Sequence, residues 1–202
     1  MPDNAARLTL PNLITLARLL LIPVFVAVFY LPFRWAPLAT AAIFLLAGLT
    51  DMLDGYLARK LKQTSRFGAF LDPVADKLMV AAALVLLVQY HATAWMAVPA
   101  VVIVSREITV SALREWMAEI GQRARVAVSS IGKIKTVLQI SAITGLLAHR
   151  PKLDVDGDLL MAPFHWLTYG LLYAAMLLTL WSMFSYLRAA WPELWPSRNN
   201  QD

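Results

Sequence analysis

Four aspartates, Asp51, Asp54, Asp72 and Asp76, stand in a chain that otherwise alternates long apolar runs with short polar links. They fall in Asp51-Met-Leu-Asp54-Gly55-Tyr-Leu-Ala58-Arg59 and, after a short connection, in Gly68-Ala-Phe-Leu-Asp72-Pro-Val-Ala-Asp76. A carboxylate at the centre of a bilayer costs about 2.5–3.5 kcal/mol on insertion scales. Four close together also repel one another, so they protonate unless a cation neutralises them. Whatever fold the chain adopts must bring a cation to this stretch.

The flanking sequence makes the setting a membrane. The chain is 59% hydrophobic and only 15% charged, against about 25% charged in soluble domains. The charge-free windows are 19–33, 35–50, 78–105, 136–149 and 159–187. The third is about 42 Å long as a single helix at 1.5 Å per residue, too long for one crossing of a ~30 Å hydrocarbon layer. His91, Thr93 and Pro99 suggest that it breaks at a tight turn near residues 89–95. The expected fold is therefore all-α, one polytopic membrane domain over residues 1–202. Six helices are expected near 12–31, 36–60, 72–90, 95–118, 132–149 and 160–188. Leu8, Leu10, Leu13, Ile14 and Leu16 alternate with polar groups, so residues 1–18 read as a short amphipathic segment on the membrane surface. Met1 to Arg7 is polar and no small-residue cleavage site follows, so no cleaved leader is expected.

Lysine and arginine give the orientation. Arg7, Arg18, Arg59, Lys60, Lys62, Arg66, Lys77, Arg106, Arg114, Arg123, Arg125, Lys133, Lys135, Arg188 and Arg198 would share one side with both termini. Only Arg34, Arg150 and Lys152 would lie on the other. Basic residues concentrate on the cytoplasmic side, so both termini and the aspartates are expected there. The formal charge of +5 then reflects topology, and nucleic-acid binding is not expected, because no polar tracking face is evident. The Asp154-Val-Asp156-Gly-Asp158 cluster, which lacks the distal glutamate of a calcium loop, reads as a solvated external turn. Disulfides, thiolate nucleophiles and cysteine-ligated metals are excluded, since the chain has no cysteine.

Asp51 and Asp54 are spaced i,i+3 and Asp72 and Asp76 i,i+4, so each pair shares a helix face. The link at 60–67 is short enough to bring the pairs together. Carboxylates without imidazole or thiolate form a hard oxygen site suited to Mg²⁺ or Mn²⁺. Two such ions bridged by carboxylates are a common clamp for phosphoryl groups. Gly55 and Gly68 would allow close backbone approach to a phosphate, Arg59 could donate to it in bidentate fashion, and Ser65 could add a hydroxyl donor.

The stretch from Asp51 to Asp76 resembles the signature of the CDP-alcohol phosphatidyltransferases, Asp-x2-Asp-Gly-x2-Ala-Arg-x8-Gly-x3-Asp-x3-Asp, at every fixed position. Pro11-Asn12-Leu-Ile-Thr15-Leu-Ala-Arg18 is similar to the lead-in common in that family. Arg106-Glu107-Ile-Thr-Val-Ser-Ala-Leu-Arg114-Glu115-Trp116 and Val126-Ala-Val-Ser-Ser-Ile-Gly132-Lys133-Ile-Lys135-Thr136 resemble its bacterial phosphatidylglycerophosphate synthase branch.

The resemblance implies a bacterial inner-membrane homodimer that takes CDP-diacylglycerol as donor and sn-glycerol 3-phosphate as acceptor. Asp51, Asp54, Asp72 and Asp76 would hold the metals, with Asp76 also the general base. Asn12, Thr15, Asp54, Gly55, Ala58, Arg59, Ser65 and Gly68 would line the donor site. Arg106, Arg114, Arg125, Lys133 and Lys135 are the candidates for the acceptor phosphate. Lys133 and Lys135 cannot share a face at i,i+2, and Lys135 is the preferred one. Serine, inositol phosphate or phosphatidylglycerol as acceptor is the alternative within the family. A divalent-cation transporter is the alternative outside it, and a covalent phosphatidyl-aspartate route is the alternative mechanism. A structural membrane protein stapled by a metal would leave Arg59 and the paired glycines without a purpose.

Overall fold

The computed structural model describes residues 10–61, 66–122, 130–149 and 162–195; the side chains of 10–12, 51–61, 66–70, 72, 130–133 and 162 fall outside that description. The described residues form six α-helices and no strand: α1 (Leu10–Phe29), α2 (Ala36–Leu61), α3 (Arg66–His91), α4 (Ala94–Glu119), α5 (Ser130–Ala148) and α6 (Ala162–Leu194). The expected helices are all present. α3 starts six residues earlier than the Asp72-Pro73 pair suggests, so Pro73 lies inside the helix. There it withdraws one N–H from the helical ladder. α6 runs on to Leu194 because Ala189, Ala190 and Trp191 continue the helix past the last basic residue of the apolar window.

The expected break in the long apolar window falls at Ala92–Thr93, which joins α3 to α4. Ala92 takes a left-handed conformation with φ 46°, and Ala92 N donates to Val88 O at 2.9 Å, closing the end of α3. α4 ends on Gly121 at φ 76°. Gly121 N donates to Ala118 O (3.2 Å) and Gln122 N to Met117 O (2.8 Å). This is the paired-bond closure that favours glycine just beyond a helix.

α1 packs on α2 and α3, α5 on α6 and α2, and α4 on α6 and α3. Phe25, Phe44, Leu84, Leu87, Met96, Ile103, Ile143, Leu146 and Leu172 form the shared core. Outside it, Leu20, Leu38, Val85, Val101, Ile108, Val137, Leu177 and Phe184 face outward. Apolar side chains this exposed along whole helices suit a hydrocarbon surround. α4, with stretches 73–91 of α3 and 163–194 of α6, is long and apolar enough to cross a bilayer. The apolar parts of α1, α2 and α5 are shorter, at 13–29, 36–50 and 134–148. Residues 10–18 are the first half of α1, and Thr15 and Arg18 are buried in the bundle. Residues 1–9 and the Asp154–Asp158 cluster lie outside the described residues.

The helix order fixes which ends meet. The end of α2 and the start of α3, which carry the four aspartates, share one end with the start of α5 and the ends of α4 and α6. At the other end the rings of His91, His149 and His165 gather beside Tyr169; His165 lies 5.6 Å from His91, 6.0 Å from His149 and 4.9 Å from Tyr169 between centroids.

Candidate active site

The acidic signature lies on two helices joined by only four residues, 62–65. Asp51 and Asp54 lie in the last third of α2, and Asp72 and Asp76 in the first half of α3. The side chains of Asp51, Asp54, Gly55, Ala58, Arg59, Gly68 and Asp72 fall outside the description, as does that of Asn12, and Ser65 lies outside the described residues altogether. Thr15 is fully buried on α1. Asp76, the last carboxylate of the signature, is described and exposed.

Asp76 opens into a cleft of about 80 Å³ between five helices. α1 contributes Arg18, α3 Lys77, Met79 and Val80, α4 Glu107, and α5 Lys135, Thr136, Gln139 and Ile140. Phe44, Ala47 and Gly48 of α2 form an apolar wall. A side chain at Gly48 would be in ordinary contact with Ile140 Cδ1 at 3.6 Å, so α2 and α5 are closely apposed there. Three cations (Arg18, Lys77, Lys135) and two carboxylates (Asp76, Glu107) line the cleft. With net positive lining, it suits an anion.

Burial distinguishes these cations from ordinary topology residues. Arg18 is 1% exposed and Lys135 4%. Cations so enclosed require partners. Lys135 Nζ donates to Glu107 Oε1, and the same oxygen accepts from Arg106 Nη1 at 3.0 Å. Arg106 Nη2 donates to Ser182 Oγ of α6 at 2.7 Å, and its guanidinium stands 5.7 Å from the Tyr186 ring centroid. Lys77 Nζ donates to Ser111 Oγ, tying α3 to α4.

The candidates for an acceptor phosphate thus separate. Lys135 lines the cleft with Asp76. Arg106 is buried on the α6 side of Glu107, outside the cleft lining, and positions the carboxylate that holds Lys135. Arg114 is exposed two turns further along α4. Arg125 lies outside the described residues and the Lys133 side chain outside the description. Sequence reasoning did not single out Arg18, Lys77, Glu107, Thr136 or Gln139 as site residues. For Arg18 a signal existed: an arginine between Leu16-Ala17 and Leu19-Leu20, well inside a helix, is hard to explain by topology alone.

The donor set at the acidic end fits a hard divalent cation, being oxygen-only carboxylate chemistry beside a cleft that water can enter. Among the described residues no group of three acidic or histidine side chains is disposed to bind a metal. A metal would therefore have to draw on the signature aspartates of α2 and α3.

An acidic helix pair opening beside a cationic cleft, in a bundle of apolar helices, defines a membrane protein built to handle anionic groups. The chain belongs to the CDP-alcohol phosphatidyltransferase family, whose sequence model matches residues 8–181. It is 54% identical over 188 residues to a protein of Yersinia pestis (strain Pestoides F) named CDP-diacylglycerol–glycerol-3-phosphate 3-phosphatidyltransferase, covering 93% of this chain and 98% of that one. Proteins of the same name from Pectobacterium atrosepticum and Sodalis glossinidius are 56% and 55% identical. They cover 90% and 91% of this chain, and 94% and 96% of their own lengths.

Proposed function

We propose that the chain transfers the phosphatidyl group of CDP-diacylglycerol to sn-glycerol 3-phosphate, giving phosphatidylglycerophosphate and CMP. The observation that carries the reading is that Asp76, from the signature, and Lys135, from the second half of the chain, line one cleft. A base and a buried cation within one cleft are what a phosphate-bearing alcohol needs in order to react there.

Asp76 takes the proton of the acceptor's 1-hydroxyl. That oxygen bonds to the phosphorus carrying the diacylglyceryl group, and the bond from this phosphorus to the CMP oxygen breaks. Lys135 and Arg18 offset the acceptor phosphate. An ammonium has three N–H donors, so its bond to Glu107 leaves Lys135 two for the substrate. Asp51, Asp54, Asp72 and Asp76 would hold Mg²⁺ or Mn²⁺, as two ions. Bound there, these would offset charge on the pyrophosphate and the departing CMP, a large contribution in phosphoryl transfer. Asn12, Thr15, Gly55, Ala58, Arg59, Ser65 and Gly68 would receive the donor.

The same reading takes all six helices as spans of a bacterial inner membrane, with both termini and the cleft at the cytoplasmic face. The concentration of lysine and arginine at that end supports it. It also takes the protein as a homodimer, which mass measurement in native detergent checks; a monomeric active enzyme would remove that part.

The test is CMP release by purified protein given CDP-diacylglycerol and each candidate acceptor. Turnover is expected with glycerol 3-phosphate. Turnover with serine or inositol phosphate but not with glycerol 3-phosphate would overturn the assignment.

A further inference from the structure

One polar group in the cleft has no role in the chemistry above. Gln139 is 6% exposed, it lines the cleft, and its Oε1 is buried and accepts no hydrogen bond. A buried amide oxygen without a donor is costly and uncommon in folded proteins. The apolar neighbours Phe44, Met79, Val80 and Ile140 offer nothing to satisfy it. An apolar side chain such as leucine would suit these surroundings better, if packing alone set the choice.

The helix geometry says what could reach this oxygen. Gln139 follows Lys135 by four residues on α5, so the two lie on one face about 6 Å apart along the axis. On the facing helix α3, Asp76 precedes Met79 and Val80 by about the same step. Lys135 and Asp76 therefore occupy the outer turn of the cleft, and Gln139 lines it one turn further inward. In sn-glycerol 3-phosphate the secondary hydroxyl sits on the carbon between the reacting hydroxyl and the phosphate ester. With the phosphate on Lys135 and the 1-hydroxyl on Asp76, that secondary hydroxyl is the one donor placed between them. We infer that Gln139 Oε1 accepts a hydrogen bond from the acceptor's secondary hydroxyl and so selects a glycerol phosphate over phosphorylated alcohols that lack it. The inference rests on the proposed reaction and deepens it, assigning a specificity-determining residue.

The experiment compares two acceptors with the same phosphate and the same primary hydroxyl: sn-glycerol 3-phosphate and 3-hydroxypropyl phosphate. CMP release is measured with the intact enzyme and with Gln139→Leu and Gln139→Glu. The unchanged enzyme is expected to prefer glycerol phosphate in kcat/KM by on the order of ten- to a hundredfold, the range for one buried hydrogen bond. Gln139→Leu is expected to abolish most of that preference by raising KM for glycerol phosphate, while leaving 3-hydroxypropyl phosphate nearly unaffected. Its melting temperature in detergent is expected to equal or exceed that of the unchanged enzyme, because an unpaired polar atom has been removed. Gln139→Glu keeps the shape and an acceptor oxygen, and is expected to retain the preference while weakening both acceptors through its charge. If Gln139→Leu slows both acceptors equally, lowers the melting temperature, or leaves the preference intact, Gln139 is not the reader and the inference falls alone. If the unchanged enzyme turns over neither acceptor, the proposed reaction fails and takes this inference with it.

Discussion

Lys135 of α5 is hydrogen-bonded to Glu107 of α4, although the described parts of these two helices do not pack backbone to backbone. The pair spans the cleft instead of lining an interface. Glu107 is the anchor of this bridge because Arg106, itself bonded to Ser182 of α6, holds it from that side. A cation from one helix, a carboxylate from a second and a hydroxyl from a third thus set the width of the site.

This arrangement ranks two substitutions. Glu107→Gln leaves both Arg106 and Lys135 short of their anion, whereas Lys135→Met leaves Glu107 still paired with Arg106. Breaking a buried pair costs about 3–5 kcal/mol; the partial exposure of Glu107 (27%) brings the expectation to about 2 kcal/mol for Glu107→Gln. Lys135→Met should cost less stability, yet lower kcat/KM for the acceptor. Thermal unfolding in detergent with parallel CMP-release kinetics checks both; a larger stability loss in Lys135→Met would contradict the ranking.

Ser182→Ala removes the 2.7 Å acceptor of Arg106 Nη2. A hydrogen bond to a charged group contributes about 1.5–3 kcal/mol, and chemical denaturation should show a loss in that range. Ser182→Thr restores the hydroxyl and should recover part of it.

Gly145 of α5 lies close against Thr168 of α6. A Cβ there would overlap the Thr168 methyl. That side chain cannot simply turn aside, because Thr168 Oγ1 donates to His165 O at 2.8 Å. Gly145→Leu should destabilise the bundle by about 1–3 kcal/mol, the usual penalty for overpacking. Gly145→Leu combined with Thr168→Ser should lose less than Gly145→Leu alone, as read from melting temperatures.

At Ala92 the left-handed backbone (φ 46°) favours glycine. Left-handed geometry costs an L-residue about 1–2 kcal/mol. Ala92→Gly should melt at or above the unchanged protein and Ala92→Val clearly below it. The reverse order in a thermal scan would contradict the assignment of strain to this turn.

Chelation tests the acidic signature. EDTA should abolish CMP release and Mg²⁺ or Mn²⁺ should restore it. Asp76→Asn should retain donor binding while turnover falls by several orders of magnitude. Persistent activity after exhaustive chelation would reject a metal at the aspartates.

Much of the fold was legible in the chain because hydropathy in a membrane protein is a strong signal. Six apolar stretches appeared as six helices, including the break at Ala92–Thr93 within a window that has no charged residue. The start of α3 was misplaced because Pro73, an ordinary first-turn residue, sits well inside that helix. The acidic signature stood out by its spacing, and its residues fall on α2 and α3 as that spacing requires, but of its four carboxylates only the Asp76 side chain is described. The cleft was not legible. Arg18 lies far from Asp76 in sequence and was absorbed into the topology count, and Gln139 was hidden in a charge-free apolar window. Arg106 and Lys135 both stood as candidates for the acceptor phosphate until tertiary packing put one behind Glu107 and the other in front of it.

The Lys135–Glu107 bridge also bears on traffic through the cleft. A buried ammonium without a partner would attract any anion that reached it, without discrimination. With Lys135 already engaged, an anion that takes its remaining N–H donors competes with the nearby charge of Glu107. A phosphate dianion with hydroxyls to donate competes better than a singly charged lipid diester. On the proposed reaction, the resting contact would act as a threshold at this cation that a dianion passes more readily than a singly charged group.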